Sequence, residues 1–134
     1  SVLAIEPAVD ILLEAGMERL RAKSVRQTSY MIYLTEQWLR PLGFELGSPA
    51  EAQQRGSHVS LRHPEAFRIT RALIETPPPA VRVIPDFRAP DNIRLGVTPL
   101  YTTFEEIHRA MTRLRQVYES GIYQQYSLER KAVT

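Results

Sequence analysis

The first third of the chain has the apolar spacing of a helix. Apolar residues recur every three to four positions from about Ile5 to Arg40, which is the period of one helix face. The stripe consists of Val9, Leu13, Met17, Leu20, Met31, Leu34 and Trp38. Gly16 is the position where we expect a break or bend, because acidic residues precede it and basic residues follow it. Pro41 and Gly43 should end the helix. A helix this long exceeds the usual length in a compact domain, so it is predicted to connect two bodies of protein.

Short strands and amphipathic helices follow. Segments that alternate or are rich in β-branched residues predict four strands, at Phe44–Gly47, Ser57–Leu61, Val81–Ile84 and Ile93–Val97. A helix should begin near Pro64, and another at Thr103, where Glu106 completes a capping box. Their inward faces are predicted to be Phe67, Thr70, Leu73 and Ile74 in the first, and Phe104, Ile107, Met111, Leu114 and Tyr118 in the second.

The order of these elements indicates the fold class. We expect Thr76–Ala80 (TPPPA) to be an extended break, Asp86–Asp91 a loop, and the tail after Gly121 to fray. Helix, strand, strand, helix, strand, strand, helix predicts an α+β fold, with a small, mostly antiparallel sheet of three or four strands and helices on one face. The predicted organisation is a connector helix over 1–40, a small domain over 41–120 and a tail over 121–134.

Composition narrows the function classes. The chain has 134 residues and a net charge of +2, which gives no reason to expect nucleic-acid or membrane binding. The absence of cysteine excludes disulfides and thiol nucleophiles and fits a cytoplasmic location. The chain begins without Met, directly in a helical pattern, so we expect it to be a piece of a longer protein.

No set of residues in the chain has the spacing of a catalytic or metal centre. His58, His63 and His108 fall on different elements and match no metal-binding motif, so no metal site is expected. Lys23 and Lys131 have no apolar surroundings that would activate an amine, and we interpret them as surface lysines. Basic helix faces at residues 19–26 and 109–113 have no aromatic residues beside them and are typical of solvated surfaces.

Arg94 is the one candidate for binding chemistry. In DNIRLGVTPLY (residues 91–101), strand alternation places Arg94 on the face opposite Ile93, Leu95 and Val97, together with Gly96. A guanidinium binds carboxylates in a bidentate geometry, and glycine leaves room for a ligand to approach the backbone. Possible neighbours in a pocket are Asp86, Arg88 and Asn92. The alternative is an arginine on a solvated sheet face.

Three segments resemble the C-terminal part of kynureninase. They are LRAKSVRQTSYMIYL (20–34), RGSHVSLRHPEAF (55–67) and DFRAPDNIRLGVTPLYTTFEEI (86–107). That family consists of pyridoxal 5'-phosphate-dependent hydrolases of the aspartate-aminotransferase-like fold. They cleave L-kynurenine to anthranilate and L-alanine in tryptophan degradation and NAD biosynthesis. The resemblance implies that Arg94 binds the α-carboxylate of the amino-acid substrate and that Gly96 keeps the adjacent space open.

The resemblance also implies what this chain lacks. The family's cofactor-binding lysine and phosphate-binding residues belong to a large domain that precedes the matched region, so no catalytic residue is expected here. The isolated chain should neither bind the cofactor nor act on L-kynurenine or 3-hydroxykynurenine, whereas the whole enzyme would be a homodimer. Residues 76–82 (TPPPAVR) look longer than is expected in the family.

Two other interpretations stay open at this point. The first is that the chain is a non-catalytic α+β interaction module. The second is that it is the small domain of another aminotransferase-like enzyme, of the cysteine-desulfurase type. If it was separated from a larger neighbour, the first helix should expose more apolar side chains than a monomer would.

Overall fold

The computed structural model describes residues 2–48, 56–75 and 83–128, with side chains from residue 13 onward except that of residue 15. Helix α1 (Val2–Leu34) continues as a π-helical turn (Thr35–Leu39) and a 3-10 turn (Arg40–Leu42). The other elements are β1 (Glu45–Leu46), β2 (His58–Arg62), α2 (Ala66–Glu75), β3 (Val83–Arg88), β4 (Asn92–Val97), α3 (Phe104–Glu119) and a 3-10 helix (Ile122–Gln125). This is the element order that the sequence predicts.

Helix α1 runs through Gly16 without interruption, so a break there is wrong, whereas a bend there stays a prediction. Glycine costs a helix only about 1 kcal/mol relative to alanine, too little to break one of this length. The irregular part is instead the π-helical turn, where the Thr35 hydroxyl donates to the Met31 carbonyl at 2.8 Å. Gly43, with a φ of 93°, ends the helical segment in the left-handed region that favours glycine.

The four strands form one antiparallel sheet in the order β1-β2-β4-β3. Strand β4 is therefore central, between β2 and β3. One face of the sheet is apolar, and the helices pack on it. Buried strand residues on this face are Val59, Leu61, Val83, Ile93, Leu95 and Val97. The α+β fold class with helices on one side of an antiparallel sheet is confirmed, whereas the domain division at 40 and 120 stays a prediction.

The helices bury faces that differ in part from those expected. Helix α2 buries Ala66, Ile69, Thr70, Ala72 and Leu73. Ile74 is 52% exposed, because it lies to one side of this stripe. Helix α3 begins with the expected capping box, since Thr103 Oγ1 accepts from the Glu106 N–H and Glu106 Oε1 accepts from the Thr103 N–H, both at 3.1 Å. Its buried residues are Ile107, Met111, Leu114 and Val117, whereas Phe104 is 42% exposed in the first turn.

Strand β3 extends further than the sequence predicts. The expected loop over Asp86–Asp91 is wrong in its first half, because Asp86, Phe87 and Arg88 pair with β4 and only residues 89–91 turn. Phe87 lies on the covered face, with its ring centroid 5.3 Å from that of Phe67 on α2. This contact joins two elements that are distant in sequence, so no local pattern specifies it. The expected break at Thr76–Ala80 lies outside the described residues.

The segment after α3 is ordered against the domain. The Arg68 guanidinium on α2 donates to the carbonyl oxygens of Gln124 at 2.7 Å and Tyr126 at 3.0 Å. The Tyr123 ring stacks on that of Tyr118 at 5.5 Å between centroids. The prediction that this segment frays is therefore wrong for residues 122–126. Within the described residues, no helix is long and apolar enough to cross a membrane.

Candidate functional site

The second face of the sheet is polar and open. Antiparallel register places ten residues on it: Glu45, His58, Ser60, Arg62, Ile84, Asp86, Arg88, Asn92, Arg94 and Gly96. All of them are exposed or partly exposed. Arg94 occupies the middle of this open face, because its Cα partners are Ser60 on β2 and Asp86 on β3. The alternation that buries Ile93 and Leu95 therefore directs Arg94 away from the helices.

Arg94 forms an ion pair with its cross-strand neighbour. Its Nη2 lies 3.2 Å from Asp86 Oδ2, and the Arg94 side chain is 36% exposed. Arg88 Nε lies 3.0 Å from the same oxygen. Two guanidiniums and one carboxylate leave this cluster, Asp86–Arg88–Arg94, with one net positive charge. The remaining N–H groups of Arg94 donate to no residue that the structure describes, so they are available to an anion.

Gly96 is not required by packing within the described chain. A Cβ added there would meet only the Ile84 carbonyl oxygen, at 3.9 Å, which is ordinary contact. Gly47 differs, because its Cβ would lie 2.7 Å from the Asn92 side-chain oxygen. The structure thus brings Arg94, Asp86 and Arg88 together and keeps Gly96 open beside them. The Asn92 side chain faces Gly47 instead.

An apolar groove lies past the end of β4. It encloses about 370 Å³ between α1 and the segment that follows β4. The lining residues are Met17, Leu20, Arg21, Ser24, Ser57, Thr98, Pro99 and Leu100. Leu13, Met17 and Leu100 are 62%, 65% and 61% exposed, respectively. An apolar surface on α1 is what the sequence predicts for a helix that packs against a further body of protein. Arg94 does not line this groove.

Polar contacts that were not predicted from the sequence tie α1 to the edge of the groove. Ser24 Oγ lies 2.8 Å from Ser57 Oγ, and Gln27 Nε2 donates to the Thr102 carbonyl at 2.6 Å. Gln27 is fully buried, and its Oε1 has no hydrogen-bond partner among the described residues. The sequence did contain a pattern that could have predicted these contacts. Ser24 and Gln27 interrupt the apolar stripe between Leu20 and Met31 at helical spacing.

The histidines do not form a site together. His63 is 5% exposed and packs against the rings of Phe44 and Tyr118. Its Nδ1 accepts from the Glu65 N–H at 3.0 Å, and burial lowers its pKa against the opposing effects of the Leu42 carbonyl and the Glu65 carboxylate. His63 therefore supports the start of α2. No group of three or more potential ligands for a metal ion occurs in the part of the chain that the structure describes.

Comparison of the sequence with known proteins shows the family to which the chain belongs. The kynureninase C-terminal domain family matches residues 20–114, which include the Asp86–Arg88–Arg94 cluster. The chain belongs to this family. It is 41% identical to the kynureninase of Geobacillus thermodenitrificans over 98% of its own length, and 40% identical to that of Bacillus thuringiensis subsp. konkukian over 94%. The kynureninase of Shouchella clausii is 36% identical over 99% of the chain.

The chain aligns with only part of each related kynureninase. The chain spans about 30% of the length of the kynureninases it matches, for example 30% of the Geobacillus protein and 28% of the Bacillus thuringiensis protein. In these relatives most of the polypeptide therefore has no counterpart here.

Proposed function

We propose that this chain is the C-terminal part of a kynureninase, the hydrolase that cleaves L-kynurenine to anthranilate and L-alanine. In this proposal Arg94 binds the α-carboxylate of the substrate. The observation that carries the proposal is the position of Arg94 at the centre of the open sheet face, with part of its guanidinium unused. The family match favours this function over a non-catalytic interaction module or a small domain of the cysteine-desulfurase type.

The geometry suits a carboxylate. A guanidinium presents its N–H groups as a planar fork that can bind both oxygens of a carboxylate, whereas an ammonium group acts as a point charge. Arg94 projects from a central strand, so its backbone is held on both sides by β2 and β3. Open space at Gly96 leaves room for the rest of the substrate to lie along β4. The Asp86–Arg88–Arg94 cluster carries one net positive charge, which favours a monoanion.

The described residues fit the substrate better than they fit the cofactor. Pyridoxal 5'-phosphate, when bound, supplies the electron sink for the reaction and requires a lysine and phosphate ligands. The chain has two lysines: Lys23 lies on α1, away from the open face, and Lys131 lies outside the described residues. We therefore assign cofactor binding mainly to the rest of the enzyme, and we expect this chain alone to be inactive.

The test uses the full-length enzyme with L-kynurenine and 3-hydroxykynurenine as substrates. Arg94→Ala should raise KM and lower kcat/KM by a factor that corresponds to about 1.5–3 kcal/mol, the range for a hydrogen bond to a charged group. Arg94→Lys should restore little, because one ammonium group does not reproduce the fork.

Arg71→Ala is the matched control for this experiment. The Arg71 side chain is 33% exposed and ion-paired with Glu75 on α2, remote from the open face. Its removal should leave kcat/KM within about twofold, because a partly exposed ion pair contributes little to stability and Arg71 does not lie on the open face. Unchanged kinetics in Arg94→Ala would refute the assignment of Arg94.

A further inference from the structure

We infer that Asp86 is a positioning residue, which holds the Arg94 guanidinium in the orientation that receives the substrate carboxylate. Arg88 offsets the negative charge that Asp86 would otherwise present to that carboxylate. This inference rests on the proposed function, because it concerns the same site. It adds a role for Asp86 and Arg88 to that of Arg94.

The register of the sheet brings Asp86 to Arg94. The two residues are direct Cα partners on neighbouring antiparallel strands, and both side chains lie on the open face. Asp86 Oδ2 accepts from Arg94 Nη2 at 3.2 Å. A long arginine side chain on an open face has many rotamers, and a fixed acceptor beside it reduces them. The contact uses one terminal nitrogen, so the rest of the fork stays available.

The charges around Asp86 reduce the repulsion between its carboxylate and the carboxylate of the substrate. Asp86 alone would repel an incoming carboxylate. Arg88 Nε lies 3.0 Å from the same Oδ2 and is 57% exposed, so it shares and screens that charge. The carboxylate of Asp86 is itself 45% exposed, and solvent weakens its long-range effect on the substrate. Orientation of Arg94 is therefore expected to outweigh the repulsion.

The experiment is a double-mutant cycle in the full-length enzyme, with Asp86→Asn and Arg94→Ala alone and together. Asp86→Asn should raise KM for L-kynurenine about three- to fivefold, the scale of an exposed ion pair, and leave kcat within about twofold. In the Arg94→Ala background, the same substitution should leave KM unchanged, because the Arg94 guanidinium that Asp86 orients is no longer present. Glu75→Gln is the matched control, since Glu75 is 44% exposed and paired with Arg71.

The outcomes separate the inference from the proposed function. A fall in KM or an unchanged KM in Asp86→Asn, with a raised KM in Arg94→Ala, would overturn the role of Asp86 and leave the role of Arg94 intact. An Asp86→Asn effect that persists in the Arg94→Ala background would also overturn it, because Asp86 would then act on something else. If Arg94→Ala itself leaves KM unchanged, the proposed function fails and the inference fails with it.

Discussion

Arg68 should make a larger contribution to stability than other surface arginines of this domain. Its side chain is only 16% exposed, and its guanidinium donates to the carbonyl oxygens of Gln124 and Tyr126. The guanidinium also lies 5.5 Å from the centre of the Tyr123 ring and 3.3 Å from a Glu65 oxygen. Arg68 thus holds the segment after α3 against α2. Arg68→Met keeps much of the apolar stem and removes all of these polar contacts.

The expected loss follows from the two backbone hydrogen bonds. A hydrogen bond to a charged group contributes about 1.5–3 kcal/mol when it is well shielded. Gln124 is exposed and Tyr126 is half-buried, so water can replace part of what is lost, and the two contacts share one side chain. The Glu65 ion pair adds at most about 0.5 kcal/mol. We therefore expect Arg68→Met to lower the free energy of unfolding by about 2–3 kcal/mol.

Urea unfolding of the 134-residue chain measures this loss. The single tryptophan, Trp38, packs against the core and reports global unfolding by its fluorescence. Arg71→Met is the matched control, because Arg71 lies on the same helix and pairs only with Glu75 among the described residues. Arg71→Met should lower the free energy of unfolding by about 0.5 kcal/mol or less. Equal losses in the two variants would refute the reasoning. Proteolysis within residues 122–128 should also be faster in Arg68→Met alone.

Two more predictions concern the helix starts. Thr103→Ala removes the capping box of α3 and should lower the free energy of unfolding by about 1 kcal/mol, with Thr103→Ser close to the original; a variant as stable as the original would contradict the capping role. His63 has a lowered pKa, chiefly because it is buried, so the unfolded chain binds a proton more readily than the folded chain. The contribution of neutral His63 to the free energy of unfolding is fully present above the ordinary pKa of 6.5. It is lost as the pH falls from 6.5 through the folded-state pKa. His63→Gln should therefore flatten the decline in stability that sets in as the pH falls below the ordinary pKa of 6.5, and an unchanged decline would exclude His63 as its source.

The sequence determined the elements whose signals are local. The period of apolar residues specifies α1, α2 and α3, and a capping box spans only Thr103 to Glu106. Strand alternation places Arg94 opposite Ile93 and Leu95, because successive side chains of a strand point to opposite faces whatever the strand packs against. The amino-acid sequence alone therefore singles out Arg94 and Gly96 as candidates, and the family resemblance lies in the same segment.

The tertiary structure decided which distant groups meet. Asp86 was expected in a loop, but the pairing of β3 with β4 makes it the direct neighbour of Arg94. The contact between Gln27 and Thr102 joins residues 75 positions apart, and that between Arg68 and Tyr126 joins residues 58 positions apart. A local pattern records only the period and propensity of one segment. Register, the docking of residues 122–126 and the polar contacts of α1 arise from contacts between segments that are distant in sequence, so only the tertiary structure reveals them.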